Sequence, residues 1–351
     1  MKRRQILFTG LRRLEVANTE LPPLGADQVL VHTEISLIST GTENICFNRL
    51  FEPGTHYDRW VKYPFEPGYS TIGIAEAIGP DVKLVKVGDR VAHQKGHASH
   101  HVVDEGRCFV VPSSVPPEHA VWFALAQVGY CGARRAGFRL GDRVVVIGAG
   151  PVGQVTLRWA IASGAEETLV IDTMQRRLDI AAKGGTTYAL AASVSVDSSE
   201  SEEWAGGAAP EDTKALVSGT TANAKVEELL GGLPDVVVEA TGHPSVFQAA
   251  LGLVKTEGRL LLLGDTGTPG EQRLTADLLT RSITIHGAHG EISFHDRDWN
   301  GVAQLFFRLV SSGRFSLEGM NTHWFSPEDA EDAYRLANER RGETMGIIFR
   351  W

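Results

Sequence analysis

Hydrophobic positions divide this chain into two regimes. From about Val29 to Val111 apolar residues come in short runs cut by Gly, Pro and Asp: QVLVHTEISLI, TIGIAEAIG, DRVAHQ, SHHVVDE and RCFVVP. Such runs predict short strands, and their close spacing predicts a β-rich, barrel-like domain. From Arg143 to about Gly287 the pattern changes to continuous apolar runs separated by helical stretches: VVVIG, TLVID, TTYAL, DVVVEATG, RLLLLGD and SITIHGA. Strands apolar on both faces that alternate with helices predict a doubly wound parallel sheet. Between the regimes, Pro117 to about Gly137 reads as a linking helix. Beyond them come a helical run (Trp299 to Ser311), a helix starting at Pro327 with Ser326 as its cap, and a last strand, MGIIFR. The fold class is therefore α/β, with residues 1–129 and 289–351 forming the β-rich domain around a parallel-sheet domain at 130–288. The C-terminal segment is expected to pack back on the first domain.

The junction of the first parallel strand with its helix carries the strongest chemical signal. Val144 to Ile147 is followed at once by Gly148-Ala149-Gly150-Pro151-Val152-Gly153 and an apolar helical run. In a strand–turn–helix unit the first glycine allows the tight turn, and the second lets backbone N–H groups approach a pyrophosphate. The third lets the helix lie close on the strand. A second strand ends in Asp172, about 20 residues past the last glycine, where a carboxylate accepts the adenosine ribose hydroxyls and repels a 2′-phosphate. The expected cofactor is thus NAD, held by Gly148, Gly150, Pro151, Val152, Gly153 and Asp172, with Arg177 flanking the adenosine and Arg176 a solvated helix charge.

Bulk properties narrow the partners. The 351 residues carry a net charge of −9 without a basic, aromatic-laced stripe, which argues against nucleic acid. No apolar run reaches the ~20 residues of a membrane span, and MKRRQILFTG lacks a signal-peptide core. Lys2-Arg3-Arg4 reads as a solvated terminus. Three widely spaced cysteines, Cys46, Cys108 and Cys131, suit a reducing cytoplasm rather than a disulfide framework. Residues 197–213 carry six acids and no base, which reads as a solvated, mobile loop.

The landmarks PGYSTIGIAEAIG, VGDRVA, AGFRLGDRVVVIGAGPVG, DVVVEATG, GRLLLLGD and ITIHGA run over nearly the whole chain. Together they resemble the medium-chain dehydrogenase/reductase superfamily. The resemblance implies a GroES-like catalytic domain beside a Rossmann domain, and adds Thr241, Gly264, Ala288 and His289 to the cofactor site. Alcohol and polyol dehydrogenases of that superfamily commonly hold a catalytic zinc. At the matching ligand positions this sequence has Thr40, Tyr69 and Ala124, and HQKGHASHH stands where a four-cysteine structural lobe is found. A hydroxyl, a phenol and a methyl do not bind zinc as thiolate and imidazole do, so no metal is expected. The ISTGTE and PGY motifs resemble the zinc-lacking bacteriochlorophyllide a dehydrogenase branch.

The chemistry then falls to side chains. Tyr69 either donates to a carbonyl oxygen or fills the space a metal would take. Thr40 and Thr42 can relay a proton or satisfy a local turn, and Glu43 is placed to orient a neighbour. His93, Lys95 and His97 follow VGDRVA in a polar cluster suited to acid/base work. His100 and His101, adjacent in a strand, must face opposite ways. His56 to Tyr63, HYDRWVKY, offers stacking faces suited to a sugar or cyclitol, or a cap on an apolar pocket. Three functions compete: an NAD-dependent, metal-free secondary-alcohol dehydrogenase, a quinone or enoyl reductase, and a non-catalytic nucleotide-binding protein. Arg259 to Leu263 and Ser282 to His286 offer apolar strands near a sheet edge through which a homodimer is expected.

Overall fold

In a computed structural model, described for residues 1–191, 220–290 and 297–351, the chain divides into two compact units. One comprises Met1–Gln127 with Ser293–Trp351, the other Val128–Ile292. The acidic stretch 197–213 lies outside the described residues.

The first unit opens with a hairpin, β1 (Lys2–Gly10) and β2 (Arg13–Glu20). The basic run at its start is therefore a strand and not a free terminus. Arg3 donates to Gln5 on its own strand and to Thr19 across the hairpin, and Arg4 pairs with Glu328. The sequence hid this hairpin because its polar positions outnumber its buried ones. The five short runs form β3 (Gln28–Leu37), β4 (Thr71–Ile78), β5 (Arg90–His93), β6 (His100–Asp104) and β7 (Phe109–Val110). The chain's end adds β14 (Asn321–Phe325) and β15 (Gly346–Arg350), giving the order β14-β15-β3-β4-β5-β7, with β6 also on β3. Ile348 pairs with Leu37, so the C-terminal segment does complete the first unit's sheet.

Alternation in β3 sends Val29, Val31, Thr33 and Ile35 inward while Leu30, His32 and Glu34 are only half-buried. Valines of β3, β5 and β6 form one apolar core with Ala75 and Cys108. A second core gathers Ile6 and Phe8 of the hairpin, Phe47, Tyr57 and Phe65, and Tyr334 from the helix Ala330–Glu339. Tyr57 of the HYDRWVKY segment is thereby committed to packing.

The second unit is a six-stranded, all-parallel sheet in the order β10-β9-β8-β11-β12-β13. Its strands are β8 (Arg143–Ile147), β9 (Glu167–Asp172), β10 (Tyr188–Ala191), β11 (Val236–Glu239), β12 (Arg259–Leu262) and β13 (Thr284–Gly287). In chain order this is 3-2-1-4-5-6, the doubly wound arrangement that binds ligands where the strand order reverses, here between β8 and β11. Two apolar clusters cover its faces, with alternate strand residues such as Val144 and Val145 on opposite sides.

Candidate active site and cofactor site

In the second unit the glycines are required by geometry. Gly148 has φ +96°, and a Cβ there would lie 2.7 Å from the Thr241 methyl. At Gly153 a Cβ would lie 1.8 Å from the Gly148 carbonyl oxygen, so any side chain would push the helix Pro151–Ala162 off the strand. Gly150 is extended, caps that helix, and has no backbone near its missing Cβ. This open place before an N-terminus with Pro151 in its first turn is the cradle a pyrophosphate fills. Asp172, buried at the end of β9, accepts the N–H of Ala149 at 2.7 Å and of Met174 at 2.8 Å. Its carboxylate thus fixes the glycine loop while Arg177 Nη1 stands 3.7 Å away. Thr241 is exposed at the end of β11, Gly264 follows β12, and Ala288 and exposed His289 follow β13. The residues present fit a dinucleotide.

The first unit holds a different construction. β3 ends at Leu37, and the chain turns through Ser39 and Thr40, both buried, into the short helix Thr42–Asn48. Glu43, wholly buried, reaches back to the Ser39 N–H at 2.7 Å. Its other oxygen accepts the Tyr334 hydroxyl and stands 3.1 Å from His97 Nε2. His97 Nδ1 lies 2.8 Å from Ser36 Oγ, which also accepts Trp351 Nε1–H at 2.9 Å. The His97 ring packs on Gly68, where φ is +89° and a Cβ would come 2.7 Å from Nε2. Only glycine serves there, and the next residue is Tyr69. Its hydroxyl is bonded to Ser39 Oγ and also to Thr42.

Burial pushes the Tyr69 phenol above its usual value of 10. Hydrogen bonds from Ser39 and Thr42 oppose the rise, and the Glu43 charge adds to it. The phenol therefore stays protonated at neutral pH. Tyr334 is pushed well above 10 by burial, then by Glu43.

The structure thus brings together Tyr69, Thr42, Ser39, Glu43 and His97, with Thr40 in the same turn. It does not bring His93 or Lys95 to this group. His93 is wholly buried, its ring edge-on to His101 at 4.8 Å, and burial with the Lys95 charge lowers its pKa to about 3. A ring held neutral inside the barrel cannot take a proton at neutral pH. Lys95 is exposed, and its carbonyl accepts from Thr71. His100 is half-exposed and His101 buried, as adjacent strand residues must be. Sequence reasoning missed Ser36, Ser39, Tyr334 and Trp351. A serine in the apolar run of β3 was the one available signal.

Zinc does not fit this donor set. The Tyr69 hydroxyl is engaged by two neutral hydroxyls, Ala124 is a buried methyl, and Thr40 offers no thiolate. Among the described residues no three His, Cys, Asp or Glu side chains gather as a metal-binding group. No helix among them is long and apolar enough to cross a membrane.

Residues 151–308 match a family model described as zinc-binding dehydrogenase. The chain is 27% identical to the sorbitol dehydrogenase of Rattus norvegicus, over 96% of this chain and 93% of that protein. Among solved structures, an alcohol dehydrogenase of Escherichia coli CFT073 complexed with NADH superposes with a TM-score of 0.77 at 18% identity, covering 100% of this chain and 99% of that one. A dehydrogenase of Sinorhizobium meliloti bound to NADP gives a TM-score of 0.77 at 19% identity, covering 100% of both.

Proposed function

We infer that the chain is a member of the medium-chain dehydrogenase/reductase superfamily, a reading supported by these matches and by a fold with its GroES-like plus Rossmann architecture. We propose that the chain is an NAD-preferring dehydrogenase that interconverts a secondary alcohol and its ketone without zinc. A polyol, sugar or cyclitol is the substrate class, for which the likeness to sorbitol dehydrogenase is the support.

The observation that carries this reading is the Tyr69 hydroxyl, held by Ser39 and Thr42 at the position of a zinc ligand. NAD, when bound, supplies the acceptor for the hydride that leaves the carbinol carbon. The chain's own part is to manage the other proton. When Ser39 and Thr42 donate to the phenol oxygen, its own O–H is left to hydrogen-bond the substrate oxygen. In alcohol oxidation the hydroxyl proton would pass to the Tyr69 oxygen as the phenol hands its own proton through the partly exposed Thr42 to bulk water. In ketone reduction the same O–H polarises the carbonyl. Glu43 and His97 hold the turn that aligns the three hydroxyls.

Asp172 supports NAD over NADP, because a 2′-phosphate would meet its buried carboxylate. A homodimer through β13 completes the proposal. That strand ends the parallel sheet, and a symmetric partner would pair its open edge. Three buried cysteines suit a cytoplasmic setting.

The test is a fluorescence titration with NADH and NADPH, followed by turnover on a polyol panel and elemental analysis of the active protein. Tighter NADH binding and polyol oxidation by zinc-free protein are expected. Tighter NADPH binding, or activity lost on chelation and restored by zinc, would overturn the reading.

A further inference from the structure

β11 reads Val-Val-Val-Glu, and the acid that ends it is as buried as the valines. A carboxylate in such a place needs donors, and Glu239 finds all of its own in the three residues that follow. Oε1 accepts the Thr241 N–H at 2.7 Å, the Thr241 hydroxyl, and the Gly242 N–H at 3.1 Å. Oε2 lies 3.2 Å from the Gly242 nitrogen. The Glu239 carbonyl meanwhile accepts the N–H groups of Leu263 and Gly264 at 3.0 and 2.9 Å.

The turn so tied has little freedom. A Cβ at Gly264 would come 2.2 Å from Gly242 N, and one at Gly242 would come 2.3 Å from the Asp265 carbonyl oxygen. On its other side, Thr241 presses its methyl against Gly148, the first glycine of the phosphate-binding loop. β8 and β11 are the neighbours at which the strand order reverses, so this turn stands at the ligand-binding crevice of the sheet.

We propose that Glu239 is a positioning residue of the cofactor site: its carboxylate holds the 240–242 turn so that Thr241 stays seated against Gly148, and loosening that hold, by substitution or by protonation, weakens cofactor binding. The inference rests on the reading of this unit as a nicotinamide-cofactor site.

Burial raises the Glu239 pKa to about 7, against the opposing pull of the Thr241 and Gly242 hydrogen bonds. Among the described residues no charged side chain contributes to that rise. The titratable groups on surrounding elements are Asp172 after β9, His243 before the helix Pro244–Leu253, Lys225, Glu227 and Glu228 on the helix Thr220–Leu230, Asp265 after β12 and His286 on β13. Arg143, Asp235 and Arg259 lie at the opposite ends of the strands. Glu239 is thus ionised in only part of the molecules at neutral pH. The ionised form is the stronger acceptor for all three donors. If only that form holds the turn, apparent affinity follows the ionised fraction, a change of about tenfold between pH 6 and 8.

The experiment is NADH binding to the full chain, followed by fluorescence from pH 5.5 to 8.5, for the wild type, Glu239→Gln and Thr241→Val. In the wild type, affinity should rise with pH through a single step near 7. Glu239→Gln should bind roughly tenfold more weakly at pH 8 and lose the step. Thr241→Val keeps the methyl against Gly148 but removes one donor, so it should keep the step with weaker binding. This variant also reads the tie should Glu239→Gln fail to fold. A step that survives in Glu239→Gln, or wild-type affinity in that variant at pH 8, would overturn the proposal while leaving the cofactor reading intact. A wild type that binds neither NADH nor NADPH at any pH would overturn both.

Discussion

Two buried carboxylates do opposite kinds of work in this molecule. Glu239 closes on residues two and three places ahead of it, so its contacts are local and belong to one turn. Glu43 gathers Ser39, His97 and Tyr334, whose positions span nearly the whole chain. A local carboxylate shapes one turn, whereas a long-range one welds separate segments and exists only in the finished fold. Burial also acts on bases as well as acids: it holds His93 and His101 of the first unit below their ordinary pKa, and it holds Glu239 of the second above its own.

That contrast makes the largest prediction one of acid against base. The His93 pKa is lowered from 6.5 to about 3 by burial, so its favourable contribution is complete above 6.5 and is lost as pH falls toward 3. The full loss is at most about 5 kcal/mol. Replacing it, as in His93→Phe, should flatten the acid limb of stability measured by urea unfolding between pH 7 and 4. An unchanged limb would mean that His93 does not govern it. Glu43→Ala comes next. It strands the Ser39 N–H, the Tyr334 hydroxyl and the His97 ring, and should cost about 4 kcal/mol in the same assay. A loss below ~1 kcal/mol would show that water replaces the carboxylate.

Glu239 runs the other way. Its carboxyl is raised from 4.5 to about 7, so its contribution is complete below 4.5 and lost as pH rises through 7, up to about 3 kcal/mol. Glu239→Gln should therefore lose less stability than the wild type between pH 5 and 8. A steeper loss in the variant would break the comparison of the two acids. Tyr69→Phe keeps the ring and removes the donor. Turnover should fall on the order of 10²-fold with NADH affinity nearly unchanged. Full activity would reduce Tyr69 to filler. The smallest effect is expected from Asp172→Ser. It should shift preference from NADH toward NADPH by roughly tenfold in a fluorescence titration, and no shift would put the discrimination elsewhere.

The same local and long-range distinction explains what could be read from the sequence. The strands of the parallel sheet were legible, most clearly β8, β9, β11 and β12, whose largely apolar runs are bounded by glycine or an acid. The glycine loop and Asp172 were legible because spacing alone defines them. Tyr69, Thr42 and Glu43 could be singled out by position in the PGY and ISTGTE motifs. Their partners could not. Nothing near Ser36, Tyr334 or Trp351 signals that they meet at His97, since 315 positions separate Ser36 from Trp351. The histidines of HQKGHASHH look alike in sequence, yet His97 joins the hydroxyl group and His93 turns into the barrel. His93 ends β5, whereas His97 lies in the irregular 94–99 stretch before β6, where no strand phase can be read. The opening hairpin was missed for a related reason, as its buried residues are too few to show a period.

The first unit is built from both ends of the chain, whereas the second is continuous, and this has a consequence for synthesis. Val128 and Gly290, near the ends of the inserted unit, already touch, with a Cβ on Gly290 falling 3.2 Å from the Val128 side chain. The inserted unit emerges from the ribosome whole while β3 still lacks β15 on its edge. Its folding draws the distant halves of the first unit together, so that the last strand searches as if across a short loop rather than some three hundred residues. A lesion in the parallel sheet should therefore delay the barrel as well, and a nascent chain stalled before Gly346 should expose an unfilled strand edge for a chaperone to cover.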